Sequence, residues 1–150
     1  MFKKLSNIGD CGIVCDFGDE VSQKINTDVI KLFHYARQQT SDGNLEGILN
    51  CTPSYNKLII NFDLKKINAT KILDFLKSIN FSKIDLSQNK EEWTIPICYD
   101  FAMDLENISK TLKIDIDEII KIHLNTTFFI YMIGFIPGHP FMGDLNSKLF

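Results

Sequence analysis

The stretch TFFIYMIGFIPGHPFMGDL, Thr127 to Leu145, decides how the chain is read. It opens with an apolar run, Phe128 to Ile136, broken only by Tyr131 and Gly134. It then turns into Pro137-Gly138-His139-Pro140 and closes on Phe141-Met142-Gly143-Asp144. Aromatic and β-branched residues followed by proline and glycine predict a buried strand running into a tight, rigid loop. The run is nine residues long, well short of the roughly 20 that a membrane-spanning helix needs, so it reads as protein core. Two prolines fix φ, and Gly134, Gly138 and Gly143 permit conformations or close approaches closed to other residues. A loop with few conformations to lose suits a ligand or partner site carried on a rigid strand. A stiff connection between two barrel strands would need the same residues, and spacing does not separate the two uses.

The 150 residues suffice for one ordinary domain or two small ones. Hydrophobic residues make up 45% and charged residues 23%, the balance of a soluble globular chain. The net charge of -3 leaves no basic excess to neutralise phosphates, which argues against nucleic acid as a partner. Met1-Phe2-Lys3-Lys4 is not followed by an apolar core and a small-residue cleavage site, so no secretory signal is expected. Cys11 and Cys15 are spaced to share one face of a strand. They lack the close pairing of a zinc site, and no histidine pair complements them. With Cys51 and Cys98 they read as reduced, partly buried thiols of a cytosolic, hence cytoplasmic, protein.

Working outward, Gly12 to Phe17 alternates as a strand. Val21 to Gln39 carries Val21, Ile25, Val29, Leu32, Phe33 and Ala36 at helical steps. Leu45 to Cys51 and Lys57 to Phe62 are two β-rich runs around a turn at Thr52 to Asn56. Asn68 is placed to cap a helix through Ser78 with Ile72, Leu73, Leu76 and Ile79 inward. This order is that of a split β-α-β unit and requires a last strand near Phe81 to Leu86. Ser87 to Glu92 is the expected linker. Trp93 to Cys98 then reads as a strand, with Pro96 marking an edge or bulge. Asp104 is placed to cap a helix from Leu105 to Leu112. Asp115 and Glu118 have capping-box spacing for another, reaching about His123, with Ile116, Ile119 and Ile120 on its apolar face.

Chemistry is sparse. There is no Ser/His/Asp set, metal cluster or phosphate-binding loop. His34 reads as structural or surface. His123 ends a helix, where the dipole favours a cationic ring. His139 lies in the opening loop, and histidine is the residue that ordinarily titrates near neutrality, so it is the first acid/base candidate. Asp100, Asp104 and Glu106 read as a solvated face. Phe128, Phe129, Tyr131 and Phe135 read as core and lack the basic company of a nucleic-acid stacking platform.

Three pieces carry a family resemblance. They are Gly9-Asp10-Cys11-Gly12-Ile13-Val14-Cys15-Asp16-Phe17-Gly18-Asp19; then Pro53-Ser54-Tyr55-Asn56-Lys57-Leu58-Ile59-Ile60-Asn61-Phe62-Asp63; and Ile95-Pro96-Ile97-Cys98-Tyr99 followed by His123 and Tyr131 to Gly143. The last is similar to a pattern IPVCY, then H, then Y-x-x-GF-x-PGFPY-x-GG. The chain resembles the KipI/PxpB family, also called allophanate hydrolase subunit 1 or the PxpB component of ATP-dependent 5-oxoprolinase. The resemblance implies an α+β chain: a ferredoxin-like domain over residues 1–88, then an incomplete cyclophilin-like β-barrel domain over 89–150. It implies a subunit, not active alone, of a complex that opens 5-oxoproline to glutamate with ATP, the nucleotide being used without an ATP-binding motif in this chain. The implied partners are a KipA/PxpC-like and a PxpA-like subunit. Fused relatives implied by the same family form the carboxyltransferase part of urea carboxylase. Inhibition of a sensor histidine kinase, or an inactive remnant, are the alternatives.

His123, which matches the histidine of the pattern, and His139, which the loop reading singles out, are the catalytic candidates. Gly134, Phe135, Pro137, Gly138, Pro140, Phe141 and Gly143 would form the wall of a substrate or inter-subunit pocket. No metal site is implied. The sequence departs from the pattern at Asp100 to Met103, where a glycine-rich stretch is usual, at His139, and at Asp144, where the second glycine of the closing pair belongs. The segments PR-x-x-VPAGSV and PGGW that complete the family's barrel do not follow Phe150, so other polypeptide is expected to finish the pocket.

Overall fold

The computed structural model describes residues 2–84 and 91–150. The chain divides into two compact units, Met1–Ser87 and Gln88–Phe150. The expected linker falls largely on residues 87–90, outside the described ones. The architecture is mixed α/β with antiparallel sheets.

Unit 1 is built on a four-stranded antiparallel sheet of β1 (Lys4–Asn7), β2 (Gly12–Asp16), β3 (Ile48–Pro53) and β4 (Lys57–Phe62), in the order β1-β2-β4-β3. Two helices, α1 (Gln23–Ser41) and α2 (Ala69–Ser78), belong to the same unit. β2 and β3 both run antiparallel to β4, which lies between them. That is the expected split β-α-β arrangement. Alternation decides the inward set on β4, where Leu58, Ile60 and Phe62 are buried because every second side chain points to one face. Ile13 and Cys15 do the same on β2. Cys11 does not share that face; it precedes the strand and is exposed.

The helix stripe buries Val29, Leu32 and Ala36, while Val21 lies ahead of the helix and is exposed. Ser22 is the N-cap, its hydroxyl accepting from the Ile25 N–H at 3.3 Å. The stripe reading omitted Asn26, which is 2% exposed. Its amide donates to the carbonyls of Ser54 and Tyr55 at 3.1 and 3.2 Å, tying α1 to the β3–β4 turn. Asn68 caps α2 by accepting from the Lys71 N–H at 2.9 Å, and Ile72 and Leu76 are buried beneath it.

Two further expectations fail in unit 1. β3 begins at Ile48 rather than Leu45, because Gly47 has φ 110°, a conformation outside any strand. The expected strand at Phe81 to Leu86 is absent among the described residues. Phe81–Lys83 is a 3-10 turn, with the Asn80 side chain accepting from the Ser82 N–H and hydroxyl. Such local bonds compete with ladder formation. The edge of the sheet beside β2 is taken by β1 instead, in the register Lys4 to Asp16 through Asn7 to Ile13. Phe81 still serves the core: it meets Phe2 and Phe17 edge-on, and Phe2 meets Phe17 likewise, with centroids 5.8 to 6.1 Å apart.

Unit 2 holds α3 (Leu105–Leu112), α4 (Ile116–Leu124) and a hairpin of β5 (Phe129–Ile133) and β6 (Pro140–Gly143). Asp115 caps α4 by accepting from the Asp117 N–H at 2.9 Å. Asp104 stands at the N-cap of α3 but makes no capping bond through its side chain. The apolar face of α4 buries Ile119 and Ile122. Trp93 to Cys98 forms no ladder; Trp93 is 74% exposed, and Ile95 and Ile97 are exposed with it. Nor is Phe128 to Ile136 the buried strand its composition predicted. Among β5 residues only Tyr131 is buried, while Ile130, Ile133, Phe135 and Ile136 are exposed. Both segments have strand composition, but the first pairs with no strand and the second only with the short β6 among the described residues, which leaves most of their apolar side chains exposed.

Candidate functional site

The β5–β6 loop is fixed by three short-range hydrogen bonds. Gly134 N–H donates to His139 O at 3.0 Å, Ile136 N–H to Gly134 O at 2.8 Å, and His139 N–H to Ile136 O at 3.2 Å. The second bond closes a three-residue turn centred on Phe135, whose φ of 67° is costly for a bulky side chain. The third spans Ile136-Pro137-Gly138-His139. Proline at the second place and glycine at φ 81° in the third are what a type II turn requires. The tip projects Phe135, 90% exposed, and its ring lies 6.3 Å from that of His139. His139 also meets Phe141 edge-on at 5.1 Å. The structure therefore gathers Phe135, His139 and Phe141 around one turn.

Behind the tip a bulge sits between Ile130 and Met132. A bulge re-aims a side chain, and here it involves Tyr131. The Tyr131 ring lies so close to Gly143 that a Cβ there would stand 2.8 Å from it. The Tyr131 hydroxyl donates to Asp144 Oδ1 at 2.8 Å. Burial pushes the Tyr131 phenol up to about 12, and the bond to Asp144 and its charge push the same way. Asp144 has φ 66°, which explains why a glycine suits the place; aspartate is among the residues that tolerate it.

His123 is elsewhere in the unit, in the last turn of α4. Its Nδ1 lies 2.6 Å from the Tyr99 hydroxyl, and its ring packs at 5.0 Å against Phe128. It shares no hydrogen bond or ring contact with His139. His34 lies against Phe33 on α1. The Tyr99–His123 and Tyr131–Asp144 pairs were invisible to periodicity. The one signal for the second was an aspartate standing where the family pattern has glycine.

Two surface hollows are lined by other residues. One of about 340 Å³ in unit 1 is lined by Phe33, Arg37, Thr40, Ile48, Asn50 and Cys51 among others. One of about 450 Å³ in unit 2 is lined by Asp104, Asn107, Ile108, Thr111, Leu112 and Leu149. Neither involves a residue of the 134–139 loop. The stretch Thr127 to Leu145 contains no lysine or arginine, so the loop does not fit a nucleoside triphosphate.

Residues 3–150 match the family described as the carboxyltransferase domain, subdomain C and D. The chain belongs to that carboxyltransferase-domain family. It is 25% identical, over 97% of its own length, to the B-type subunit of 5-oxoprolinase from Bacillus subtilis (strain 168). It spans 65% of the length of that curated relative. The crystal structure of TTHA0988 superposes with a TM-score of 0.76 at 23% identity, covering 92% of this chain and 26% of that one. The Kluyveromyces lactis urea carboxylase superposes with a TM-score of 0.58 at 18% identity, covering 87% of this chain and 13% of that one. These likenesses extend the carboxyltransferase-domain fold to this chain. Among the described residues no helix is long and apolar enough to cross a membrane.

Proposed function

We propose that the chain is part of an ATP-dependent 5-oxoprolinase assembly, cytoplasmic and inactive by itself, that opens the lactam of 5-oxoproline to glutamate. The observation that carries this reading is the match to a 5-oxoprolinase subunit across nearly the whole chain. In this reading residues 1–88 are a ferredoxin-like domain and 89–150 contribute to a cyclophilin-like barrel. A KipA/PxpC-like and a PxpA-like subunit are the partners, and ATP is bound by them rather than by the 134–139 loop.

The exposed apolar side chains of unit 2 support the need for other polypeptide. Large exposed apolar surface marks an interaction site, and Trp93, Ile133, Phe135 and Ile136 all face solvent here. A pocket walled by Gly134, Phe135, Pro137, Gly138, Pro140, Phe141 and Gly143 then forms only on assembly. His139 and His123 are its candidate proton-handling groups. Opening an amide develops negative charge on the carbonyl oxygen, and donors held in place before reaction stabilise it. The test is reconstitution with both partner subunits, 5-oxoproline and ATP, with glutamate measured. Glutamate should appear only with the chain present. Equal glutamate from the partners alone, or none from the full mixture with the chain folded, overturns the reading.

A further inference from the structure

We infer that Tyr99 is a positioning residue for His123, fixing the ring so that Nε2 is the working donor of the site. The inference rests on the 5-oxoprolinase reading for its substrate, a small cyclic amide, but its geometry stands on unit 2 alone. Three contacts hold the imidazole. The Tyr99 hydroxyl lies 2.6 Å from Nδ1. The Tyr99 ring meets the imidazole edge-on at 5.9 Å and 85°. Phe128 covers it at 5.0 Å. The backbone on either side is fixed as well. The Ala102 N–H donates to Tyr99 O at 3.1 Å, and the Thr126 N–H to His123 O at 3.1 Å.

Which nitrogen carries the proton follows from the partner. Of the two pairings open to a neutral ring, a phenol is the better donor, so the Tyr99 O–H donates to Nδ1 and the ring proton sits on Nε2. Nε2 has no hydrogen-bond partner among the described residues. Among the described residues no buried side-chain nitrogen or oxygen is left unpaired, so Nε2 is open to solvent. A neutral imidazole with an outward N–H is a donor suited to a carbonyl oxygen that gains negative charge. Without Tyr99 the same ring would divide between two tautomers, one of which presents a lone pair to that oxygen. The Tyr99 hydroxyl thus selects a donor over an acceptor, through an atom that never touches substrate.

The test begins on the full chain labelled with nitrogen-15. Long-range proton–nitrogen spectra give the tautomer of each imidazole, with His34→Gln and His139→Gln variants assigning the signals. His123 should show protonated Nε2 and unprotonated Nδ1 at neutral pH. Tyr99→Phe keeps the ring and its edge contact, so a folded spectrum with a mixed His123 tautomer is expected. A protonated Nδ1 in the parent chain, or an unchanged tautomer in Tyr99→Phe, overturns the inference. In the reconstituted assembly Tyr99→Phe should lower kcat by roughly 10- to 100-fold, by analogy with losing the partner that orients a metal-bound imidazole, with KM little changed. Full turnover by Tyr99→Phe overturns the positioning role and leaves the oxoprolinase reading intact. Absence of turnover by the parent assembly overturns that reading, and the tautomer spectra still decide the pairing.

Discussion

A Cβ on Gly143 would stand 2.8 Å from the Tyr131 ring, so glycine there is a matter of space. Gly143→Ala should destabilise the β5–β6 hairpin by about 1–3 kcal/mol, the usual cost of overpacking. Combining it with Tyr131→Leu should cost less than the sum of the single changes, because the clash leaves with the ring. Urea denaturation followed through the amide signals of β5 and β6 reads both; additive costs would mean that the ring is not seated on Gly143. Two thiols set a pH dependence in unit 1. Burial pushes Cys15 up to about 12 and Cys51 up to about 11, from an ordinary 9.0. Above pH 9 the unfolded chain releases protons that the fold retains. Stability from these groups is complete below about pH 9 and is lost as pH rises through about 11 and 12. Each unit of that gap carries about 1.4 kcal/mol. We expect the urea midpoint of unit 1 to fall between pH 8.5 and 10.5, on the order of the linkage slope, and Cys15→Ala with Cys51→Ala to flatten the fall. An equally steep slope in the double variant would assign the alkaline loss to other groups.

Asn26 connects elements that periodicity treats as separate. It lies on the buried face of α1, yet it is polar, and its amide serves two carbonyls of the β3–β4 turn. Asn26→Leu should cost about 1–3 kcal/mol through the carbonyls it leaves unpaired, read as a lowered melting temperature with the β3–β4 amides losing protection first. A neutral Asn26→Leu would show that water satisfies the turn equally well. The elements that were legible are those whose pattern answers to their own unit. The stripe Val29, Leu32, Ala36 and the alternation Leu58, Ile60, Phe62 point into one core, so period alone identifies them. β1 was missed because Lys4-Leu5-Ser6-Asn7 carries no alternation; its pairing comes from β2 and from the Phe2–Phe17–Phe81 cluster. The loop's turn chemistry was readable from Pro137 and Gly138. The Tyr99–His123 pair was not, since a separation of 24 residues matches no period.

At the scale of the whole molecule the two units differ in how much they bury. Unit 1 closes around one cluster, from Ile13 and Cys15 through Val29, Leu58 and Phe62 to Leu76. In unit 2 the buried hydrophobic residues among those described are Ile119, Ile122 and Tyr131. Its strand-like segments, Trp93 to Cys98 and Phe128 to Ile136, have the right composition, but Trp93, Ile95, Ile97, Ile130, Ile133, Phe135 and Ile136 stay exposed. That difference turns into one in local stability, because opening energies follow buried apolar contact and protected backbone bonds. In the isolated chain the amides of Gly12–Asp16 and Lys57–Phe62 should exchange slowly. Those of Phe129–Ile133 and Pro140–Gly143 should exchange faster by roughly 100-fold or more, which is about 2.7 kcal/mol in opening energy. If the proposed assembly is correct, a KipA/PxpC-like subunit should slow the second group and leave the first unchanged, since binding to the folded state stabilises what it covers. Equal protection of both groups in the isolated chain would show that unit 2 is sustained by its own contacts. The exposed aromatic and aliphatic side chains around Phe135 would then need no other polypeptide, and the case for a pocket completed on assembly would fail with them.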